Sequence, residues 1–456
     1  MGVSIVRFHK ELRLADNPLL QDIGGERLLC WYHFDTRLLE ANRYGLKAMG
    51  PVRLHFLLES LMDLDQQLAQ LGQRLYISVG DIHTALERIL QAFSASQLLQ
   101  SRAVGWEEQQ SQQRLLMGFE RLEHNLHESF SLFEAADLPF ELRELPDSFS
   151  KYRRLLEKHE VQPRAPLKAP SQLPPLPDNA SFATVTAVGL MTLPAFISHY
   201  GDQLNAASEA VEFRGGERAG FTHLSGYFAS RRACRYKTTR NAIDDASAST
   251  RFSPWMAQGC VSSRMAADAL AGYQKDFGVN DDNDWIYFEL LWRDYFYWYA
   301  LKWQRRLFRF RGIHQKGPLT AFYPGRFQAW CQGSTPWPLV NAIMKQLNRT
   351  GFISNRARQI AASALVNELS CDWRYGAAYF QQQLIDHQVG ANWGNWQYIA
   401  GVGADPRQGR HFNLEKQTAM FDPKGEYIAR WQGDMGCQPL DAEDAADWPI
   451  SPPVDK

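Results

Sequence analysis

Apolar residues along the chain follow two different periods. From residue 3 to about 135, short β-rich runs alternate with helical spacing. Val3–Phe8, Arg27–Tyr32 and Leu75–Val79 read as strands, with Gln97–Val104 and Phe130–Phe133 as further ones. Between them Leu54, Leu57, Leu58, Leu61, Leu64, Leu68 and Leu71 keep a helical period, and Gly72 follows as a natural stop. A second helix runs through Leu86 to Phe93. Such alternation predicts an α/β domain built on a doubly wound parallel sheet.

The pattern then changes. Six prolines between Pro163 and Pro177 suit neither helix nor sheet and predict an extended linker. From about Pro194 to Trp431 helical spacing dominates, which predicts an all-α domain. The expected organisation is an α/β domain at 1–135, a linker at 136–197, Pro-rich at 163–177, a helical domain at 198–431, and a tail at 432–456. Asp441, Glu443, Asp444 and Asp447, followed by Pro449, Pro452 and Pro453, make that tail acidic and poorly ordered.

Composition narrows the class. At ~100–200 residues per domain, 456 residues allow a core large enough to bury a cofactor. The 49 Lys+Arg against 50 Asp+Glu exclude a uniformly basic nucleic-acid binder but leave room for a local basic face. The six cysteines form no C-x-x-C pair, which points to a reducing compartment. The N-terminus lacks a secretory apolar stretch and no window has the length of a membrane span, so the expected location is the cytosol. The 14 Trp are the unusual number, and their positions need a reason.

Ten aromatic residues lie among the nineteen of Trp285–Trp303, where Glu289, Trp292, Arg293 and Phe296 share one helical face. Charges set among aromatic rings must pair with each other or meet a polar ligand. Tyr236–Asn241 leads into Ser247–Pro254, a hydroxyl cluster suited to capping a helix or binding phosphate. Asn355, Arg358 and Gln359 fall on one face, with Asp386 and Asn392 further on. This set suits a heteroaromatic ring with donor and acceptor edges, or structural ion pairs. Arg231–Arg240 and Lys302–Arg311 are basic without acids, which fits a nucleic-acid backbone or a solvated helix face. His124 and His127 have helical spacing without clear partners and read as surface residues, so no metal site is expected.

These residues resemble the photolyase/cryptochrome family, and within it the DASH cryptochromes. STRFSPW (249–255), ELLWRDYF (289–296), GFISNRARQ (351–359), DWR (372–374) and NWGNWQY (392–398) carry the resemblance, in the family's order. Gln359 and Tyr398 suggest the subgroup, since photolyases acting on duplex DNA more often have Met and Trp there. The resemblance implies FAD in the helical domain, with Tyr236, Ser249, Thr250, Phe252, Ser253 and Arg293 toward its diphosphate and ribityl region. Arg358 and Asp386 would pair over the flavin ring, and Asn355 and Asn392 would complete the cofactor set. Glu289, Trp292, Asn355, Gln359 and Tyr398 would line the substrate cavity. Arg240, Arg356 and Arg410 would contact DNA phosphates.

The implied activity is blue-light-driven splitting of cyclobutane pyrimidine dimers in single-stranded DNA by a monomeric enzyme. The alternative is a blue-light photoreceptor that signals through flavin redox state. A photolyase flips its dimer out of the base stack, and that costs less in a single strand. Several positions depart from the family. Arg7 and His9 replace the usual Trp and Arg, and Gln388 stands where an Asp is usual. Glu107 and Glu108 only loosely match the stretch that would hold a methenyltetrahydrofolate antenna. Trp396 and Trp373 match two steps of a tryptophan relay, but Thr320 holds the third place, leaving Tyr323 as the substitute donor.

Overall fold

The computed structural model describes residues 2–205, 212–405 and 409–440. The chain divides into two compact units. The first is Met1–Arg240 with Ala246–Arg305 and Gln381–Ala391, and the second is Asn241–Asp245 with Arg306–Phe380 and Asn392–Lys456.

The first unit is built around a six-stranded sheet in the order β5-β4-β1-β2-β3-β6. The strands are β1 Val3–Phe8, β2 Arg27–Phe34, β3 Leu75–Val79, β4 Ala95–Ser101, β5 Glu123–His127 and β6 Met191–Thr192. The first five pair in parallel, and β6 closes one edge in antiparallel pairing with β3. Helices α1 Pro51–Gln70, α2 Ile82–Phe93 and α3 Trp106–Gly118 connect these strands in the doubly wound manner. Val3, Ile5, Leu29, Trp31 and Leu98 meet Leu86, Ile89 and Phe93 of α2 in one buried cluster. Gly72 ends α1 with φ +76°, a backbone that only glycine adopts without strain.

Phe130–Phe133 is not a strand. These residues are buried because they thread into the first unit, where side chains satisfy their backbone in place of a ladder. Arg293 and Ser263 donate to the Phe130 carbonyl, and Leu132 N donates to Asp294. The fifth strand lies earlier, at Glu123–His127, and its half-buried polar sequence hides it from a hydrophobic pattern. His124 and His127 therefore sit on a strand, half-buried, and their spacing points them to opposite faces. His124 Nε2 is 3.1 Å from the Phe119 carbonyl and His127 Nε2 is 3.6 Å from Asp22.

The residues after β1 are charged yet buried. Glu11, Arg13, Asp16 and Asn17 are fully enclosed. Arg13 donates to the carbonyls of Gly259 at 2.9 Å, Asp16 at 2.6 Å and Ser129 at 3.1 Å, and Arg264 pairs with Asp16 at 2.9 Å. Gly259 has φ +63°, and a Cβ there would lie 1.8 Å from the Lys10 carbonyl, so this close approach requires glycine.

Pro163–Pro177 carries no helix or strand, and the Pro175 carbonyl accepts from Leu28 N at 2.9 Å. After β6 the regular elements among the described residues are helices, apart from one isolated bridge, Ala321 to Cys371. In the second unit Gln432–Leu440 packs on neighbouring helices: Lys345 Nζ donates to the Gln432 and Met435 carbonyls at 2.6 and 2.7 Å. The rest of the expected acidic tail, from 441 on, lies outside the described residues. No helix among the described residues is long and apolar enough to cross a membrane.

Candidate functional site

In the first unit the candidate chemistry is carried by the long helix Asp281–Trp303, which Asn280 caps by accepting from Asn283 N at 2.8 Å. Two adjacent residues anchor it. Asp294, fully buried, accepts from Ser131 Oγ at 2.6 Å and Leu132 N at 2.8 Å on one oxygen. Its other oxygen accepts from Tyr152 Oη at 2.6 Å and Trp298 Nε1 at 2.9 Å. Arg293 donates to the carbonyls of Phe130 at 2.7 Å and Met256 at 3.1 Å and to Ser263 Oγ. Burial brings its guanidinium down to about 10, still protonated at neutral pH.

One turn earlier, Glu289 Oε1 accepts from Arg240 Nη1 at 2.6 Å and from Trp285 Nε1 at 2.9 Å. Glu289 and Arg293 thus each have other partners and do not form the intrahelical pair that their spacing allowed. Burial raises the Glu289 carboxyl above the usual range, against the pull of Arg240 and the indole N–H. Trp292 stacks on Phe149 with ring centroids 3.9 Å apart and on Phe296 at 5.7 Å. The aromatic excess of this helix is therefore a packed ring network.

The hydroxyl cluster is in the same unit. Phe252 is buried against Tyr227 at 5.2 Å and His223 at 5.9 Å, and His223 Nε2 donates to the Thr250 carbonyl at 2.8 Å. Tyr236 is buried, Ser249 and Thr250 are half-buried and Ser253 is exposed. Among the described residues the hydroxyls of Ser249, Thr250 and Ser253 make no hydrogen bond. Three uncommitted donors in one short loop match what the diphosphate of a dinucleotide requires. Asp386 is buried at 8% exposure, and Gln388 Nε2 donates to the Met256 carbonyl at 3.4 Å.

In the second unit Ser354 caps the helix Asn355–Ser363, which presents Asn355 exposed and Arg356, Arg358 and Gln359 half-buried. Arg358 donates twice to the Ile353 carbonyl, both at 3.0 Å. Arg356 lies over the rings of Phe421 at 5.3 Å and Phe412 at 5.6 Å and donates to Asn241 at 3.3 Å. Arg410 bonds the Tyr398 hydroxyl and pairs with Asp405 at 3.3 Å, so two expected site residues meet directly. Asn392 Nδ2 donates to the Ala377 carbonyl at 2.9 Å.

The expected relay residues have distinct neighbours. The Trp396 ring meets Phe380 at 5.1 Å and Trp330 at 6.1 Å. The Trp373 ring meets Trp393 at 5.9 Å, and its Nε1 donates to the Phe310 carbonyl at 3.0 Å. Tyr323 precedes the helix Pro324–Gln332, with Arg326 over its ring at 4.6 Å. Sequence reasoning missed Trp330 and Trp393 as ring partners. It also missed Trp285 as a donor to Glu289, although the four-residue spacing was visible.

Of the antenna candidates, Glu107 is exposed, whereas Glu108 accepts from Lys10 Nζ at 2.8 Å and Gly105 N at 3.2 Å. His9 lies 3.9 Å from Glu108, and Arg7 donates to Gln100 at 2.8 Å. Two departures from the family, Arg7 and His9, thus contribute to a charged cluster where β1 and β4 end. Burial opposes the Glu108 charge, but the Lys10 ammonium, by charge and hydrogen bond, and the Gly105 N–H help bring the carboxyl down to about 2. Burial holds His9 down to about 3 and His33 down to about 4.

Comparison with known proteins gives a consistent result. Residues 4–172 match the DNA photolyase family and residues 285–441 match the FAD binding domain of DNA photolyase. A cryptochrome DASH of Idiomarina loihiensis is 46% identical over 97% of this chain and 95% of its own length. A cryptochrome DASH of Vibrio parahaemolyticus is 45% identical over 98% and 97%. The crystal structure of a Synechocystis cryptochrome superposes with a TM-score of 0.86 at 35% identity, covering 94% of this chain and 88% of that one.

The strand-end cluster sets a pH dependence. His9 and His33 are neutral in the fold, with values near 3 and 4, so below about pH 6.5 the unfolded chain binds more protons and stability falls. Glu108, near 2 in the fold, adds a further loss as pH drops through its unfolded value of about 4.3. The urea midpoint should therefore decline from about pH 6.5 to pH 4, and His9→Gln should flatten that decline. An equal slope in His9→Gln would remove His9 from the account.

Proposed function

The chain belongs to the photolyase/cryptochrome family, with the DASH cryptochromes, and from that membership we propose that it splits cyclobutane pyrimidine dimers in single-stranded DNA under blue light. The observation that carries the reading is that Glu289 and Trp292 stand one turn apart on a helix anchored through Arg293 and Asp294. An acid beside a broad aromatic surface suits a pyrimidine dimer, which offers carbonyl oxygens at its edge and apolar faces.

FAD supplies the light-absorbing electron donor when bound. Tyr236, Ser249, Thr250, Phe252, Ser253, Arg293, Arg358, Asp386 and Asn392 are the residues assigned to hold it, supported by the uncommitted hydroxyls of the 249–253 loop. Glu289, protonated, donates a hydrogen bond to a pyrimidine carbonyl as negative charge arrives there. Trp292 provides contact area, and Asn355 adds an exposed amide. Gln359 and Tyr398 give polar walls that support extraction from duplex less well than apolar ones, and Arg356 and Arg410 take phosphates. Trp396, Trp373 and Tyr323 are assigned to carrying electrons inward from an external thiol under light.

Two assays test this reading. With reduced protein and blue light, dimers in single-stranded oligothymidine should be repaired much faster than the same dimers in duplex. A hydrogen bond to a charged group is worth ~1.5–3 kcal/mol, so Glu289→Ala should slow repair by ~10–100-fold while changing DNA affinity less. Equal repair in both substrates would contradict the single-strand preference, and none in either would favour a photoreceptor. Photoreduction by a thiol should largely disappear in Trp396→Phe, and unchanged photoreduction would overturn the relay.

A further inference from the structure

Glu289 must carry a proton to act as a donor, yet the structure gives it a cationic partner. Arg240 Nη1 lies 2.6 Å from Oε1, and Trp285 Nε1 donates to the same oxygen at 2.9 Å. Arg240 ends the short helix Tyr236–Thr239 and lies over the Trp285 ring at 5.3 Å, with Lys237 over the same ring at 4.7 Å. The Arg240 side chain keeps 20% exposure and that of Glu289 keeps 30%, so the pair is reachable from solvent. In a basic stretch reaching back to Arg231, Arg240 is also the cation bound to the proposed catalytic acid.

We propose that Arg240 is a substrate-sensing latch: in the free protein it holds Glu289 as a carboxylate, and a phosphate of the bound strand draws the guanidinium away so that Glu289 takes up a proton. This inference rests on the repair reading of the site. The proton comes from solvent, the guanidinium keeps its own, and no electrons move. After the exchange the Trp285 N–H still orients the carboxyl, but a neutral donor does not compensate a charge in this setting, where burial already favours the protonated form.

The surrounding groups leave this exchange to Arg240. On the short helix the other titratable groups are Tyr236, a buried phenol that burial keeps neutral, and Lys237, which pairs with Asp281 at 3.6 Å. On the long helix Asp282 accepts from Thr238 N at 3.0 Å, and Arg293 is held by the carbonyls of Phe130 and Met256. From the helix Phe149–Lys158, Arg153 lies over the Phe288 ring at 5.3 Å. Arg235 belongs to the turn Arg232–Arg235 that leads into the short helix.

The latch is testable in the dark. In DNA-free protein, infrared titration of the carboxyl stretch should show the Glu289 midpoint rising by ~1–3 pH units in Arg240→Gln. The signal should vanish in the Arg240→Gln, Glu289→Gln double variant, and Arg240→Lys, which keeps a cation, should bring the midpoint back toward the wild-type value. Calorimetry in buffers of different ionisation enthalpy should show proton uptake when wild type binds dimer-containing oligothymidine, and loss of that uptake in Glu289→Gln. An unchanged midpoint in Arg240→Gln, or equal uptake in Glu289→Gln, would overturn the latch. Failure of the repair reading would show differently, as no light-driven repair by wild type while the DNA-free titrations stand.

Discussion

A single buried carboxylate, Asp294, accepts four hydrogen bonds, and the placement of the candidate site depends on it. The donors come from three directions: the 131–132 segment, Tyr152 of a separate helix, and Trp298 one turn along. Its neighbour Arg293 grips the Phe130 carbonyl of that same segment together with the Met256 carbonyl and the Ser263 hydroxyl. Adjacent helical residues point ~100° apart, so the two side chains together fix rotation as well as depth. Hydrophobic burial alone would hold this helix less specifically, because aromatic residues ring it almost all round. The polar anchors select one orientation from several of similar apolar area.

With that orientation set, the sites for chemistry follow. Glu289 is brought beside Arg240 and Trp285, and Trp292 is stacked on Phe149 with Phe296 as a second ring neighbour. The tryptophan-rich composition thereby gains a reason beyond core filling, since indole N–H groups at positions 285 and 298 serve as donors to buried or half-buried carboxylates. Trp330 does the same toward a backbone carbonyl, donating to Ala361 at 3.0 Å.

The sheet was legible because parallel strands buried on both faces leave dense β-branched and apolar runs, and the strands from Val3, Arg27 and Leu75 begin where those runs begin. The pattern failed where burial and pairing part company. Phe130–Phe133 is as apolar as a strand, but Arg293, Asp294 and Ser263 satisfy its backbone, while the true strand Glu123–His127 is too polar to stand out. At the site, residue types and helical faces were readable, but long-range partners were not. Nothing in local spacing tells that Arg240, 49 residues before Glu289, is its counterion, or that Asp294 bonds Ser131 across 163 residues. The resemblance assigns Arg240 to a DNA phosphate, and the carboxylate beside it gives that position a second partner.

The most direct test of the anchored-helix account is light-driven repair by Asp294→Asn at equal bound flavin, with folding checked by circular dichroism. The amide replaces one acceptor oxygen with a donor, so two of the four donors to Asp294 would face another donor and the helix would lose its fixed rotation. A misplacement of ~1 Å costs up to ~100-fold in rate, and the account predicts that repair of dimer-containing oligothymidine falls at least ~10-fold in the folded variant. Wild-type repair by a folded Asp294→Asn protein would contradict the claim that this carboxylate sets the site.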